Sequence, residues 1–149
     1  MGVFNSKRKK IICLVSLLFV LAAGVFAVRV RKIFFPTLQE VYEINWGIDL
    51  PDEMELVNNF HTPSSFHGDG YRYTVFSLGK KSVPIGECYR GGMRKEFAER
   101  ILEELEVPIE YWPDFKKEFV WKKMTKYSDT LFLLYDEAEG LLYLFEELI

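Results

Sequence analysis

The sequence predicts an α+β fold behind an N-terminal membrane span, and three observations carry that prediction. An uncharged apolar run, Ile11 to Val28, follows the basic head Lys7-Arg8-Lys9-Lys10. Beyond it lies one clear amphipathic helix, Met93 to Glu106, with a single apolar stripe. Strand-like segments flank that helix on both sides, in the order β-β-α-β-β-β. Such an order suits a small antiparallel sheet packed on one helix.

The apolar run holds 18 residues. As a helix it extends roughly 27 Å, close to one hydrocarbon core. It is apolar on every face, so a buried core helix with one apolar stripe does not describe it. Two membrane readings remain: a signal-anchor that stays in the bilayer, or a signal peptide cleaved after the small residues Val25-Phe26-Ala27, which would release the domain. The run is longer than the usual core of a signal peptide, which favours the anchor. Four basic residues precede the span and three follow it closely, so the positive-inside rule adds little. The short basic head favours an N-terminus inside and a C-terminal domain outside.

Residues 1–32 therefore form the basic head and span, residues 33–48 a juxtamembrane linker, and residues 49–149 the folded domain. Pro36 breaks any continuation of the span helix. Thr37 to Asn45 reads as a short helix or as linker. Asp49-Leu50-Pro51-Asp52 is turn-like. Met54 to Phe60 is a first strand and Gly70 to Leu78 a second, rich in aromatic and β-branched residues. In the helix, Met93, Phe97, Ile101 and Leu105 recur every four residues with Ala98 and Leu102 beside them. Opposite charges four apart, Lys95–Glu99, Glu96–Arg100 and Arg100–Glu104, support its wet face, and Pro108 ends it. Three more strands follow as a meander: Lys117 to Lys126, anchored by Trp121, then Thr130 to Tyr135 and Leu141 to Leu148. Turns at Tyr127-Ser128-Asp129 and at Asp136 to Gly140 join them.

Charge is divided unevenly along the chain. Residues 1–32 carry seven basic residues and no acid, while the remainder carries 12 basic and 22 acidic, a net of −10. So acidic a domain repels phosphates, and no nucleic-acid partner is expected. The one lysine cluster, Lys116, Lys117, Lys122, Lys123 and Lys126, reads as a solvated strand face. The two cysteines are Cys13 in the span and Cys88 in the domain, so no disulfide framework exists.

Candidate chemistry gathers around FHGDG, Phe66 to Gly70. Asp-Gly favours the positive backbone angles of a tight turn, and a structured loop feeding the second strand is the simpler reading. A sharper one joins His67 as base, Asp69 as its orienter and Cys88 as nucleophile, its thiol lowered by the start of the following helix and by Arg90 or Arg94. A buried inert cysteine is commoner. Zinc requires three or four protein ligands and the chain has only two histidines; His61, His67, Asp69 and Cys88 together would make a ligand set, but nothing in their spacing makes them converge. No metal or other cofactor is expected. Gly91-Gly92 lacks the lysine and hydroxyl residue of a phosphate loop. Trp46, Trp112 and Trp121, with Tyr111, serve either as core and membrane-interface packing or as the lining of a groove.

The basic head, the span, Ile48-Asp49-Leu50-Pro51, the stretch FHGDGYRYTVF and the terminal LFLLYDEAEGLLYLFEE resemble small membrane-anchored or exported proteins of Gram-positive bacteria. The resemblance covers most of the soluble part and implies a tethered or exported domain with no defined reaction. Together these features favour a non-enzymatic binding module with a protein partner. An immunity or inhibitor protein directed at a basic effector is an alternative, since acidic surfaces steer such partners. A thiol or metal-assisted hydrolase using His67, Asp69 and Cys88 is another.

Overall fold

In the computed structural model, residues 3–51, 53–63, 69–79 and 86–149 are described. They form two compact units, Met1–Val41 and Tyr42–Ile149.

The first unit is dominated by helix α1, Val3–Phe34. Its segment Arg8–Arg31 is long and apolar enough to cross a membrane, and none of its apolar side chains is buried. The helix stops just before Pro36, as the missing amide hydrogen of proline requires. A second helix, α2, spans Leu38–Trp46. It starts with a capping box. Thr37 Oγ1 accepts the Glu40 amide at 3.3 Å and Glu40 Oε2 accepts the Thr37 amide at 2.8 Å. Glu40 also takes the Arg31 guanidinium at 2.9 Å.

The second unit is a six-stranded antiparallel sheet with helices packed on it. Its strands are β1 (Glu55–His61), β2 (Gly70–Ser77), β3 (Tyr89–Arg90), β4 (Val120–Lys126), β5 (Asp129–Asp136) and β6 (Leu141–Leu148), in the spatial order β1-β2-β6-β5-β4-β3. The α+β class and the element order predicted from sequence hold. The two-residue β3 is an addition, and it makes six strands of the five expected.

Alternation sorts the strand residues onto two faces. Tyr73, Val75, Phe132, Leu134, Tyr143 and Phe145 pack under helix α3, Glu96–Glu104, against Ala98, Ile101 and Leu102. Rings continue across the strands: Phe60 stacks on Tyr73 at 6.1 Å, Tyr73 on Phe145 at 4.9 Å, and Phe145 lies 6.3 Å from Phe132. The opposite face buries Phe76, Leu131, Leu133, Leu142 and Leu144, together with Tyr42 and Trp46 from the C-terminal half of α2. The juxtamembrane stretch is thus linker only in part, for Tyr42 and Trp46 belong to the core.

The helix α3 is shorter than its stripe suggests. Gly91 and Gly92 hold left-handed angles, φ +71° and +62°, so the chain there turns and does not coil. Met93 packs on the core from that turn. At the other end the Val107 amide donates to the Leu102 carbonyl and the Glu106 amide to the Glu103 carbonyl, with Glu106 at φ 51°. This pair of bonds is a Schellman cap, completed before Pro108 is reached.

Candidate functional site

The residues that sequence reasoning singled out are scattered. His67 lies outside the described residues. Asp69 is exposed immediately before β2, and Cys88 is half-buried immediately before β3. Three strands, β6, β5 and β4, separate β2 from β3. At about 4.8 Å per strand, that sets the two roughly 19 Å apart across the sheet. Burial pushes the Cys88 thiol above its ordinary value, and the charge of Lys122 only partly opposes this. A thiol so placed is held protonated, the reverse of an activated nucleophile. The start of α3 at Glu96 also leaves Cys88 well ahead of the helix end that was expected to polarise it. Among the described residues, no three His, Cys, Asp or Glu side chains gather as a metal site.

The concave surface of the domain lies elsewhere, and the sheet geometry explains why. A nine-residue helix is about 14 Å long, while a six-stranded sheet is about 24 Å wide. The helix cannot cover the whole face. At the N-terminal end of α3 the rows of β5 and β4 stay open, leaving a cleft of about 560 Å³ lined by Gly92, Arg94, Glu96, Phe97, Trp121, Lys123 and Phe132. Cross-strand register builds its floor. Phe132 pairs with Lys123, so both point to the α3 side, and Trp121 is the next residue on that side of β4. Phe97 meets Phe132 edge-on at 6.0 Å, and Trp121 is tilted against Phe132 at 5.8 Å. The Trp121 ring is fixed from outside by Tyr89 at 4.9 Å and by its own Nε1, which donates to the Gly91 carbonyl at 2.9 Å. The Lys123 ammonium sits over the Phe97 ring at 5.4 Å from its centroid.

The two cations at this cleft, Arg94 and Lys123, lie outside the ion pairs of the domain. Five of the domain's ten described cations are matched by acids: Arg72 by Glu146, Arg90 by Glu137, Lys95 by Glu99, Arg100 by Glu147, and Lys117 by Asp136 and Glu139. Arg94 and Lys123 form no ion pair among the described residues, although acids are in excess. A second cavity of about 470 Å³, around Arg90, Lys117, Phe119, Asp136 and Glu137, shows the contrast, because its cations are neutralised by its own acids. The lysine cluster likewise fails to form one face. Lys126 donates to the Asn45 carbonyl at 3.0 Å, Lys117 joins the acids of the β5–β6 turn, and Lys123 lies in the cleft.

Of the candidate groove residues, only Trp121 lines the cleft. Trp46 is buried and donates to Glu146 Oε1 at 2.6 Å, and Trp112 donates to the Val107 carbonyl at 2.8 Å. Sequence reasoning missed Arg94, Lys123 and Phe132 as a group. Their signal was present as Trp121 and Lys123 at alternate positions, but it needed the β4–β5 register to acquire meaning. No protein-family model, curated protein or solved structure matches the chain.

Proposed function

We propose that this chain is a single-pass membrane-anchored binding module, with its N-terminus inside and its acidic α+β domain outside, acting without chemistry of its own. One observation carries the reading: a preformed aromatic cleft whose rim holds two cations, Arg94 and Lys123, that form no ion pair among the described residues, on a domain with acids in excess. Concave, mostly apolar sites with a few convergent polar groups are the usual form of ligand sites. The helix Arg8–Arg31 supports the tether, and the basic head ahead of it supports the orientation.

Protease shaving of intact bacterial cells tests this. The chain carries a C-terminal tag, and cell-associated and medium fractions are both blotted. The expected result is a membrane-bound tag that external protease removes. A tag protected until the membrane is opened would invert the topology. A shortened chain found only in the medium would replace the anchor by a cleaved signal.

A further inference from the structure

The cleft described above has a composition specific enough to name a ligand class. Its floor is three aromatic rings, contributed by Phe97, Trp121 and Phe132, with Phe97 edge-on and Trp121 tilted against Phe132. Offset or edge-on contact with a planar ring is the arrangement such a floor favours. Its rim carries Arg94 and Lys123 against the single acid Glu96, a net of one positive charge. Both cations are exposed at the surface; neither forms an ion pair among the described residues, and the Lys123 charge reaches only as far as Glu147, which Arg100 already holds. The volume lies within the range of small-ligand sites. Around the cleft the domain is acidic, and its long-range field repels multiply charged anions more than singly charged ones.

We infer that the cleft takes an aromatic carboxylate, with its ring laid among Phe97, Trp121 and Phe132 and its single negative charge between Arg94 and Lys123. This rests on reading the cleft as a binding site. Charge complementarity selects the anion, and the one-charge excess at the rim selects a monoanion over a phosphate. The aromatic floor selects a flat ring over an aliphatic acid. The same chemistry is offered by a free small acid and by a peptide that ends in an aromatic residue with a free carboxylate.

The test uses the full chain in zwitterionic nanodiscs, with empty nanodiscs as background, and reads binding by saturation-transfer NMR. The probes are 2-naphthoate, its neutral amide, 2-naphthyl phosphate, and a pentapeptide ending in phenylalanine with either a free or an amidated C-terminus. Saturable binding of naphthoate is expected, with the amide about tenfold weaker, the size of one lost charge-assisted hydrogen bond. The phosphate should bind no more tightly than the carboxylate. Arg94→Gln and Lys123→Gln should each weaken naphthoate about three- to tenfold, and raised salt should weaken it further. Both side chains are exposed, so neither substitution threatens the fold, and an unchanged near-UV circular dichroism spectrum verifies this. A free-acid peptide binding more tightly than naphthoate assigns the ligand to a peptide end, and the reverse order assigns it to a small acid. Equal binding of acid and amide, unmoved by Lys123→Gln but lost in Trp121→Phe, would overturn the carboxylate while leaving the cleft as a binding site. Failure of every probe to bind would overturn both.

Discussion

Phe145 and Glu146 are neighbours on β6 and point to opposite faces of one sheet, and the two faces are built on different principles. Under α3, Phe145 lies among Tyr73, Phe132, Ile101 and Leu102, and stabilisation comes from apolar area, about 1.5–3 kcal/mol for each fully buried large side chain. Under α2, Glu146 is fully buried and holds two donors, Trp46 Nε1 at 2.6 Å and the Arg72 guanidinium at 3.0 Å. Beside it Tyr42 donates to Thr74, and Thr74 donates to Asn59. Burying a charge pair returns little net stability, because desolvation offsets attraction. Its effect is on choice of structure. A slip of β6 by one residue would turn Glu146 toward the aromatic rows and Phe145 toward Arg72, so only one register keeps the carboxylate paired. The area-packed face has no such requirement, and it is the face that carries an open cleft.

The comparison breaks most sharply at Glu146. Glu146→Ala leaves the Arg72 guanidinium and the Trp46 indole without their acceptor, and about 3–5 kcal/mol of stability should be lost. Thermal unfolding of the full chain followed by near-UV circular dichroism measures it. The double variant Glu146→Gln with Arg72→Met keeps an acceptor for Trp46 and removes both charges, and it should recover most of that loss. If it recovered none, the face would be relying on the ion pair itself for stability, and the account of Glu146 as a register device would fall.

The two faces also differ in how plainly the sequence displays them. The α3 face was legible because Phe97, Ile101 and Leu105 repeat with a helical period and the strand residues alternate against them. Even so, the deepest side chains are Ala98, Ile101 and Leu102, while Met93, Phe97 and Leu105 are only partly buried. Positions four apart drift about 40° per step around a helix of 3.6 residues per turn, so a strict four-residue row leaves the buried face at its ends. The α2 face was hidden. A nine-residue helix is too short to show a period, and its capping box at Thr37 to Glu40 is a four-residue signal that passes as linker. Glu146 reads from sequence as a surface acid in a terminal strand, since nothing local announces that Trp46, 100 residues earlier, will meet it. The cleft was illegible for the same reason. Arg94, Phe97, Lys123 and Phe132 are ordinary singly and acquire a role only through strand register.

A smaller effect sharpens the polar side of the comparison. Tyr42→Phe removes the hydroxyl that donates to Thr74 Oγ1 at 2.9 Å and leaves the ring in place against Phe76. Thr74 keeps its bond to Asn59 Oδ1 at 3.0 Å, so no buried donor is orphaned. The expected loss is about 1 kcal/mol, that of one neutral hydrogen bond, read as a lowered thermal midpoint. Burial and the nearby Glu146 charge both raise the Tyr42 phenol above its ordinary value, which keeps it a donor throughout the neutral range. A loss as large as that of Glu146→Ala would mean that the two polar groups act as one network.

The smallest effect belongs to Glu147, one residue beyond Glu146 and back on the α3 side. Its carboxylate takes both arms of Arg100, at 2.8 and 3.0 Å, and Arg100 also lies over the rings of Tyr71 and Phe97. Arg100 is 43% exposed, so water and salt screen the pair, and Glu147→Gln should cost only about 0.5 kcal/mol at neutral pH. The hydrogen bonds from Arg100 hold the Glu147 carboxyl below its ordinary range. A carboxyl lowered by folding stabilises the native state fully above its unfolded value, near about 4.3. That contribution disappears as pH falls through the lower, folded value. The gap in thermal midpoint between the wild type and Glu147→Gln should therefore be constant above about pH 5 and close progressively in acid. A gap that persisted undiminished at low pH would show that the glutamate acts through packing and not through its charge. The contrast with Glu146 would then rest on burial alone, because the two acids differ by one position in sequence and by a whole face of the sheet in surroundings.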